Sequence, residues 1–482
     1  MRAGQTAVVI VGAGPCGLAA AGELLKRNIP VRILDAAPGP AGGSRAILLW
    51  PPAQDVLRDL GVLDEAEAMA FRPRALHYPG DRSRLARVEL RPSESVLLLP
   101  QGVTEALLEK ALHRLGGEVE RNVHVRDVEQ DADGVTVNAE EAGRPLRIRA
   151  TWLVAADGVH STVRDRLGIA FTGTRLPTRF LLAEGPLHGA DPPADICYHL
   201  SSRGVLLIAP LPGGEVRLAG DVQPGVEVTP EMVQDLLDAR GPGGLQIGKL
   251  STLTTFTSAE RLADQLRSGR CFLVGDAAHT HSPFGGQGLN LGLQDVRNLA
   301  WKLAGVIDGR LDPAVLDTYD PERRAAAQYV TRLTGTLVRI ALARPPWTPL
   351  RNALVRGAES VGALRTWYAP MLAGRRIRYP ALPLGCPVGR RPAGLPAPPW
   401  AVMDPDPSRY RLITTGEAPG AAMAARAAQM AARWPHLVTH RHIRGRTRPF
   451  VLVRPDGYVA VQGGARDLGG VDLLLSEVGG HT

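Results

Sequence analysis

The stretch AVVIVGAGPCGLAAAGELLKRNIPVRILD, residues 7–35, decides the fold. It opens with a short, β-branched apolar run that is typical of a buried strand. Small and apolar residues at helical spacing follow over residues 18–27, and Pro30 ends that helix. A second apolar run over residues 31–34 predicts another buried strand. Because the strand, helix and strand fit within about 30 residues, they predict a right-handed parallel crossover.

A glycine-rich turn, GAGPCG at residues 12–17, joins the first strand to the helix. Gly12 permits the tight turn, Gly14 lets the backbone approach a pyrophosphate, and Gly17 lets the helix pack closely on the strand. The helix N-terminus adds the positive end of a dipole. Asp35 lies 18 residues after Gly17, where a carboxylate can accept hydrogen bonds from an adenosine ribose. The pattern predicts dinucleotide binding and leaves FAD and NAD as alternatives.

A second stretch, CFLVGDAAHTHSPFGGQGLNLGLQDVRNLAWK at residues 271–302, distinguishes between these two cofactors. Its strand delivers Asp276 to a loop, where the carboxylate can bind a ribityl hydroxyl. Pro283 and the turn at residues 285–288 then bring backbone amides to the N-terminus of a long helix. These amides and the helix dipole can stabilise the negative charge that reduced flavin carries at its N1–C2=O edge. We expect that edge to lie near Gly286, Gly288, Leu289 and Asn290.

Residues 271–302 resemble the second FAD-binding signature of aromatic-ring flavoprotein hydroxylases, the p-hydroxybenzoate hydroxylase family. The segment ADGVHSTVR, residues 156–164, resembles the family's Asp-Gly motif, with an Asp-Gly turn capped by Ser161 as the alternative. The serine–arginine–alanine element at residues 44–46 and Gln101 resemble flavin-contacting positions, with a surface salt bridge and a helix cap as the alternatives. The resemblance extends over about residues 5–380. It implies this cofactor-binding set: Gly12, Gly14, Pro15, Cys16, Gly17, Asp35, Arg45, Gln101, Asp157, Gly275, Asp276, Pro283, Gly286, Gly288, Leu289 and Asn290.

Two positions depart from the family's pattern. Cys16 stands where the family usually has alanine, and we expect it to pack as a small residue without a redox role. The sequence LWPP at residues 49–52 replaces the family's usual arginine–threonine pair, which leaves the shape of the nearby substrate pocket open.

The resemblance implies an α/β fold of three parts. Short alternating runs between Pro-Gly-rich turns over residues 176–270 independently predict an antiparallel sheet. The segment FVLVRPDGY, residues 450–458, resembles the thioredoxin-like tail of aromatic polyketide hydroxylases, here without a Cys-x-x-Cys pair. The expected parts are a Rossmann-like FAD-binding domain (residues 1–75, 101–175 and 271–380), an inserted antiparallel-sheet substrate domain (residues 76–100 and 176–270), and a thioredoxin-like domain without redox cysteines (residues 381–482).

The function implied is that of a monooxygenase with non-covalent FAD, which uses NADPH or NADH and O2. It would hydroxylate an aromatic, polycyclic polyketide-type compound through a C4a-hydroperoxyflavin, as in the secondary metabolism of antibiotic biosynthesis. A Baeyer–Villiger oxygenase on the same scaffold and a non-catalytic flavin-binding protein are the alternatives. No residue can be assigned as acid or base from the sequence. Tyr198, His199 and Arg203 are interpreted as surface strand positions.

Composition narrows the possible partners. Only four of the 56 basic residues are lysine, and the arginines are scattered, which argues against a nucleic-acid surface despite a net charge of +8. The four cysteines lie far apart, and His279 and His281 have no third ligand nearby, so we expect no metal site. No window approaches the roughly 18 apolar residues of a membrane span. We expect a cytoplasmic monomer or homodimer whose partner is a small aromatic substrate.

Overall fold

The computed structural model describes residues 6–40, 46–81, 83–189, 192–223, 225–380, 394–398, 401, 408–416, 422–444 and 449–480. In chain order the strands are β1 (Thr6–Val11), β2 (Val31–Leu34), β3 (Leu48–Leu49), β4 (Ala75–Pro79), β5 (Arg84–Glu89), β6 (Leu97–Leu98), β7 (Val119–Glu120), β8 (Val123–Gln130), β9 (Val135–Glu141), β10 (Arg144–Ala155), β11 (Phe171–Gly189), β12 (Ile196–Ser201), β13 (Gly204–Pro210), β14 (Glu215–Val222), β15 (Leu245–Ile247), β16 (Thr252–Ala263), β17 (Arg267–Ser268), β18 (Cys271–Leu273), β19 (His279–Thr280), β20 (Tyr410–Gly416), β21 (Val438–Arg444), β22 (Phe450–Val453) and β23 (Val459–Gly463). The helices are α1 (Pro15–Leu25), α2 (Pro51–Asp59), α3 (Leu63–Met69), α4 (Gln101–Arg114), α5 (Thr162–Arg166), α6 (Pro230–Arg240), α7 (Gly288–Ile307), α8 (Tyr319–Ala341), α9 (Thr348–Ser360), α10 (Ala369–Leu372), α11 (Ala422–Arg433) and α12 (Gly469–Val478).

The first sheet carries the predicted parallel crossover. Strands β18, β10, β1, β2 and β7 lie side by side and run parallel, with α1 packed between this sheet and α7. The strand predicted over residues 31–34 is confirmed as β2. Helix α1 begins at Pro15, three residues before the predicted start, because proline's fixed φ suits the first helical turn. The crossover therefore places the glycine turn at the carboxyl edge of the parallel strands.

A three-stranded meander extends this sheet beyond β10. The apolar runs at residues 119–128 and 134–137 predict a hairpin, which is confirmed because β8 pairs antiparallel with β9; β9 pairs in turn with β10. Residues 119–120 form the separate strand β7 beside β2. Only residues 152–155 of β10 have the apolar run that predicts a buried strand, because its first half is largely exposed.

The second sheet confirms the antiparallel region that was predicted over residues 176–270. Its main order is β19-β16-β11-β14-β13-β12-β4-β5, and β15 pairs with β11. One face packs on α6, a helix that the sequence analysis missed, and this face forms its own apolar core. The other face turns toward the loop before α7 and the C-terminal end of α8. That second face delimits the cavity described below.

The C-terminal module, residues 408–480 as far as described, contains a four-stranded sheet in the order β21-β20-β22-β23. Strands β20 and β21 are parallel and joined through α11, whereas β22 and β23 are antiparallel to their neighbours, and α12 follows. The thioredoxin-like assignment stays a prediction. The proline-rich composition of residues 380–399 predicts a linker, most of which lies outside the described residues. No helix in the described part of the chain is long and apolar enough to cross a membrane.

Candidate functional site

The glycine turn has the geometry that a dinucleotide requires. Gly12 has a φ of +98°, and a Cβ there would lie 2.3 Å from the Ala156 carbonyl oxygen. A Cβ on Gly17 would lie 1.8 Å from the Gly12 oxygen, so neither position accepts a side chain. A Cβ on Gly14 would meet nothing within 4 Å. The turn is therefore packed on its inner side and open at the position where a pyrophosphate would approach the backbone.

Asp35 braces this turn. Its carboxylate accepts hydrogen bonds from the backbone N–H of Ala13 at 2.5 Å and of Ala37 at 2.7 Å. The side chain lies at the end of β2 and is half-buried. Sequence analysis assigned Asp35 to an adenosine ribose, and the structure adds a second task, which is to hold the glycine turn in place.

Asp157 follows β10 directly beside the turn. One carboxylate oxygen accepts the Val163 N–H at 3.1 Å, while its Oδ1 atom is buried without a partner among the described residues. Burial raises the pKa of this carboxyl group. Ser161 caps α5 by accepting the Arg164 N–H at 2.9 Å, so the capping alternative is also realised. The unpartnered oxygen leaves Asp157 with an unused acceptor beside the turn.

The loop that carries Asp276 is fixed by hydrogen bonds to a side chain of α7. Asp295 of α7 accepts the backbone N–H of Gly275 at 3.0 Å and a hydrogen bond from His279 Nε2 at 2.7 Å. Asp276 itself is exposed. A Cβ on Gly275 would lie 2.8 Å from the Cys16 sulfur, so Cys16 packs against this loop as predicted for a small residue. Both predicted FAD signatures thus meet at one contact.

The turn before α7 is locked by side chains on both sides. Asn290 donates to the carbonyl oxygens of Leu48 and Gly286, each at 2.7 Å, and accepts the Trp50 N–H at 2.7 Å. The Trp50 indole donates to the Gly285 carbonyl at 3.0 Å. The side chain of Asn290 therefore shapes the turn, and the groups that α7 can offer a flavin are the backbone N–H groups of its first turn.

Two further predicted positions are Gln101, which the structure describes, and Arg45, which it does not. Gln101 is the first residue of α4, and its amide donates to Glu105 at 2.8 Å. The Gln101 N–H bonds the Ala46 carbonyl at 3.0 Å. Arg45 lies outside the described residues.

A cavity adjoins the α7 turn, with about 790 Å³ of empty space of which part is open to solvent. Its sheet wall contains Phe180, Leu182, Leu207 and Phe256, and its other wall includes residues 283–286 and the end of α8. The lining is mainly apolar, which is typical of sites that bind small molecules. The predicted flavin edge thus forms part of the boundary of a large apolar chamber.

A buried ion pair interrupts the apolar wall. Arg217 lines the cavity at 2% exposure, and its Nε donates to Glu184 at 2.9 Å across the β11–β14 pair. Thr252 donates to the other oxygen of Glu184 at 3.0 Å. Burial lowers the pKa of Arg217, yet a guanidinium stays protonated in proteins. Sequence analysis missed this pair, because no local pattern marks it.

The interpretation of β12 as a surface strand was wrong for two residues. Tyr198 is 5% exposed, lines the cavity and packs 5.1 Å from the ring of Phe284, while burial raises its pKa. His199 is 7% exposed on the opposite face, and burial lowers its pKa to about 4. Arg203 is exposed, as predicted. The strand is covered on both faces, by the cavity wall on one side and α6 on the other.

Fold and site together define a flavin-binding enzyme with an apolar chamber beside the predicted flavin position. A comparison with protein families matches the FAD binding domain family over residues 5–334. The chain belongs to this family, and it is an FAD-dependent monooxygenase of the aromatic hydroxylase class.

The chain is similar to proteins that are named as monooxygenases and hydroxylases. It is 32% identical over 481 residues to the 12-dehydrotetracycline 5-monooxygenase/anhydrotetracycline 6-monooxygenase of Streptomyces rimosus, covering 94% of each chain. It is 36% identical over 372 residues to the 6-methylpretetramide 4-monooxygenase of Streptomyces rimosus, covering 74% of this chain and 64% of that relative, which is less than two thirds of its length. The solved structure of the anhydrotetracycline hydroxylase OxyS from Streptomyces rimosus has a TM-score of 0.80 at 29% identity and covers 99% of each chain.

Proposed function

We propose that this protein hydroxylates an aromatic, polycyclic polyketide-type substrate, with NADPH or NADH as reductant and O2 as oxidant. The observation that carries the proposal is the mainly apolar chamber that lies against the turn before α7. FAD bound at the glycine turn and the Asp276 loop would accept a hydride and activate O2 for transfer to the substrate ring. The relatives named for tetracycline-type substrates support the polycyclic class.

The residues of the chain have distinct tasks in this proposal. The backbone N–H groups of the glycine turn bind the pyrophosphate of FAD, the segment that carries Asp157 lies over it, and Asp276 binds the ribityl chain. The first-turn N–H groups of α7 stabilise negative charge at the flavin edge. Phe180 and Phe256 exclude water from the chamber, which protects the reactive oxygen from loss as peroxide.

Arg217 supplies the substrate with a fixed positive charge. A ring that carries a phenolate or enolate oxygen is more electron-rich than its neutral form, and it reacts more readily with an electrophilic oxygen. A guanidinium held by Glu184 binds such an oxygen with strong, charge-assisted hydrogen bonds. We therefore propose that Arg217 orients the substrate and favours its deprotonated form.

The test is product analysis with the FAD-loaded protein, NADPH or NADH, ¹⁸O-labelled O2 and a panel of anthraquinone-, angucycline- and tetracycline-type compounds. We expect one labelled oxygen atom in the product, attached to an intact ring. A labelled lactone would instead establish the Baeyer–Villiger alternative, and absence of any flavin reduction by either coenzyme would favour a non-catalytic flavin-binding protein.

A cavity-filling variant provides the control. Ala219 lies on the chamber wall between the strands that carry Leu182 and Leu207. Ala219→Phe should retain bound FAD and yield no labelled product, because the ring occupies the substrate space. Unchanged product formation by this variant would contradict the chamber as the substrate site.

A further inference from the structure

The C-terminal module contributes two charged side chains to the core of the FAD-binding part. Arg454 donates to Glu322 of α8 through both terminal nitrogens, one of the bonds measuring 2.8 Å. Its NH2 group also bonds Asp456 at 2.6 Å. Asp456 accepts from Asn298 of α7 at 3.1 Å. The module is thus joined to both long helices at one point.

This junction is buried and balanced in charge. Lys302 of α7 donates to Glu322 at 2.8 Å. The junction therefore contains two cations and two anions, which are Lys302, Arg454, Glu322 and Asp456. Glu322, Lys302 and Asp456 are at most 3% exposed. Burial alone would raise the pKa of Glu322, but Arg454 and Lys302 hold it below its usual range. Each charge therefore depends on the others, since a buried unpaired charge is costly.

The junction continues directly to the loop that carries Asp276. Arg323, the residue after Glu322, donates to Asp295 at 2.7 Å. Asp295 lies one helical turn before Asn298 and holds the Gly275 N–H at 3.0 Å. Two sets of buried charged hydrogen bonds, joined by the α8 backbone at residues 322–323, consequently connect Arg454 to the backbone beside Asp276.

Aromatic contacts reinforce the same connection. Tyr458 of the module stacks on Tyr379 with ring centroids 3.9 Å apart. The Tyr379 hydroxyl accepts from Arg323 at 3.0 Å. The module therefore contacts Arg323 through Tyr379, and it contacts Glu322 through Arg454. The position of the module thus affects both of these neighbouring residues of α8.

We propose that Arg454 is a positioning residue for FAD: through Glu322, Arg323 and Asp295 it sets the loop that carries Asp276, and the C-terminal module thereby determines FAD affinity. The inference rests on the proposed FAD-binding role of Asp276.

The experiment measures FAD binding and thermal unfolding of the full-length apo-protein, without turnover. Arg454→Met should raise the FAD Kd by about 10-fold, within the roughly 5- to 150-fold typical of coupling between sites, and should lower the Tm. In the double variant Arg454→Met/Glu322→Gln, one cation and one anion remain, so the Tm should recover. FAD affinity should stay weak in the double variant, because the module no longer holds α8.

A matched control lies within the same module. Arg433 pairs with Asp472 at 2.8 Å and its side chain is 61% exposed. Arg433→Met should leave both the FAD Kd and the Tm close to the wild-type values. If Arg454→Met does not fold, Arg454→Lys retains the charge without the two-pronged contact, and it should show weakened FAD binding at near-normal Tm.

The outcomes separate positioning from simple stability. An FAD affinity that follows the Tm, falling in Arg454→Met and recovering in the double variant, would overturn the proposal. Wild-type FAD affinity in Arg454→Met, or in Arg454→Lys if Arg454→Met does not fold, would also overturn the proposal. Failure of the wild-type protein to bind FAD at all would refute the proposed function instead, and the two failures are therefore distinguishable.

Discussion

Replacing Arg217 by methionine should separate two contributions of the cavity ion pair, one to folding and one to substrate binding. Methionine keeps much of the length and apolar volume but removes the charge. The carboxylate of Glu184 is then left with Thr252 as a donor and without its cation. Because breaking a buried pair from one side costs roughly 3–5 kcal/mol, we expect a clear loss in the free energy of unfolding.

The matched double variant removes this folding penalty. Arg217→Met/Glu184→Gln leaves two neutral side chains of similar size, and such replacements are often neutral in stability. Substrate binding should not recover, because the charged hydrogen bond to the substrate oxygen is still missing. That bond corresponds to roughly 1.5–3 kcal/mol, or about 10- to 150-fold in Kd.

The assay is titration of the FAD-loaded variants with an accepted substrate, followed by the change in flavin absorbance, beside denaturant unfolding of the same samples. Glu184→Gln alone should retain most of the substrate affinity, since Arg217 keeps its charge. If the double variant bound substrate as tightly as the wild type, the reasoning that Arg217 contacts the substrate would be refuted.

Three further predictions concern the cofactor cradle and pH. Gly12→Ala should prevent folding or FAD retention, because its Cβ would lie 2.3 Å from a carbonyl oxygen. Gly14→Ala should keep the wild-type Tm and weaken FAD binding. Equal effects of the two substitutions on the Tm would contradict the proposed cradle. Asp276→Ala should raise the FAD Kd by roughly 10- to 100-fold through loss of a charged hydrogen bond, and unchanged affinity in a fluorescence titration would exclude that role. His199 has a folded-state pKa of about 4 against a usual value of 6.5, so the unfolded state binds more protons between these values and stability falls as the pH drops from 6.5 to 4. Unfolding of His199→Phe measured across this window should show a shallower pH dependence, and an unaltered slope would rule out His199 as its source.

Sequence reasoning predicted the cofactor cradle because its requirements are local. The tight turn at Gly12, the close contact at Gly17 and the turn before α7 each depend on residues a few positions apart, so spacing alone reveals them. The first half of β10 carries no apolar run, and helix α6 was missed because its burial depends on the strands that cover it.

The sequence by itself determined that the chain binds a dinucleotide, that the cofactor is FAD, and that an antiparallel sheet interrupts the α/β domain. Only the tertiary structure decided which side chains face the chamber and which join the module to the helices. Arg217 meets Glu184 through strand register, and Arg454 reaches Glu322 across 132 residues of chain. Such contacts carry no local pattern, because a charged residue in a strand or turn looks the same in the sequence whether its partner is water or a buried carboxylate.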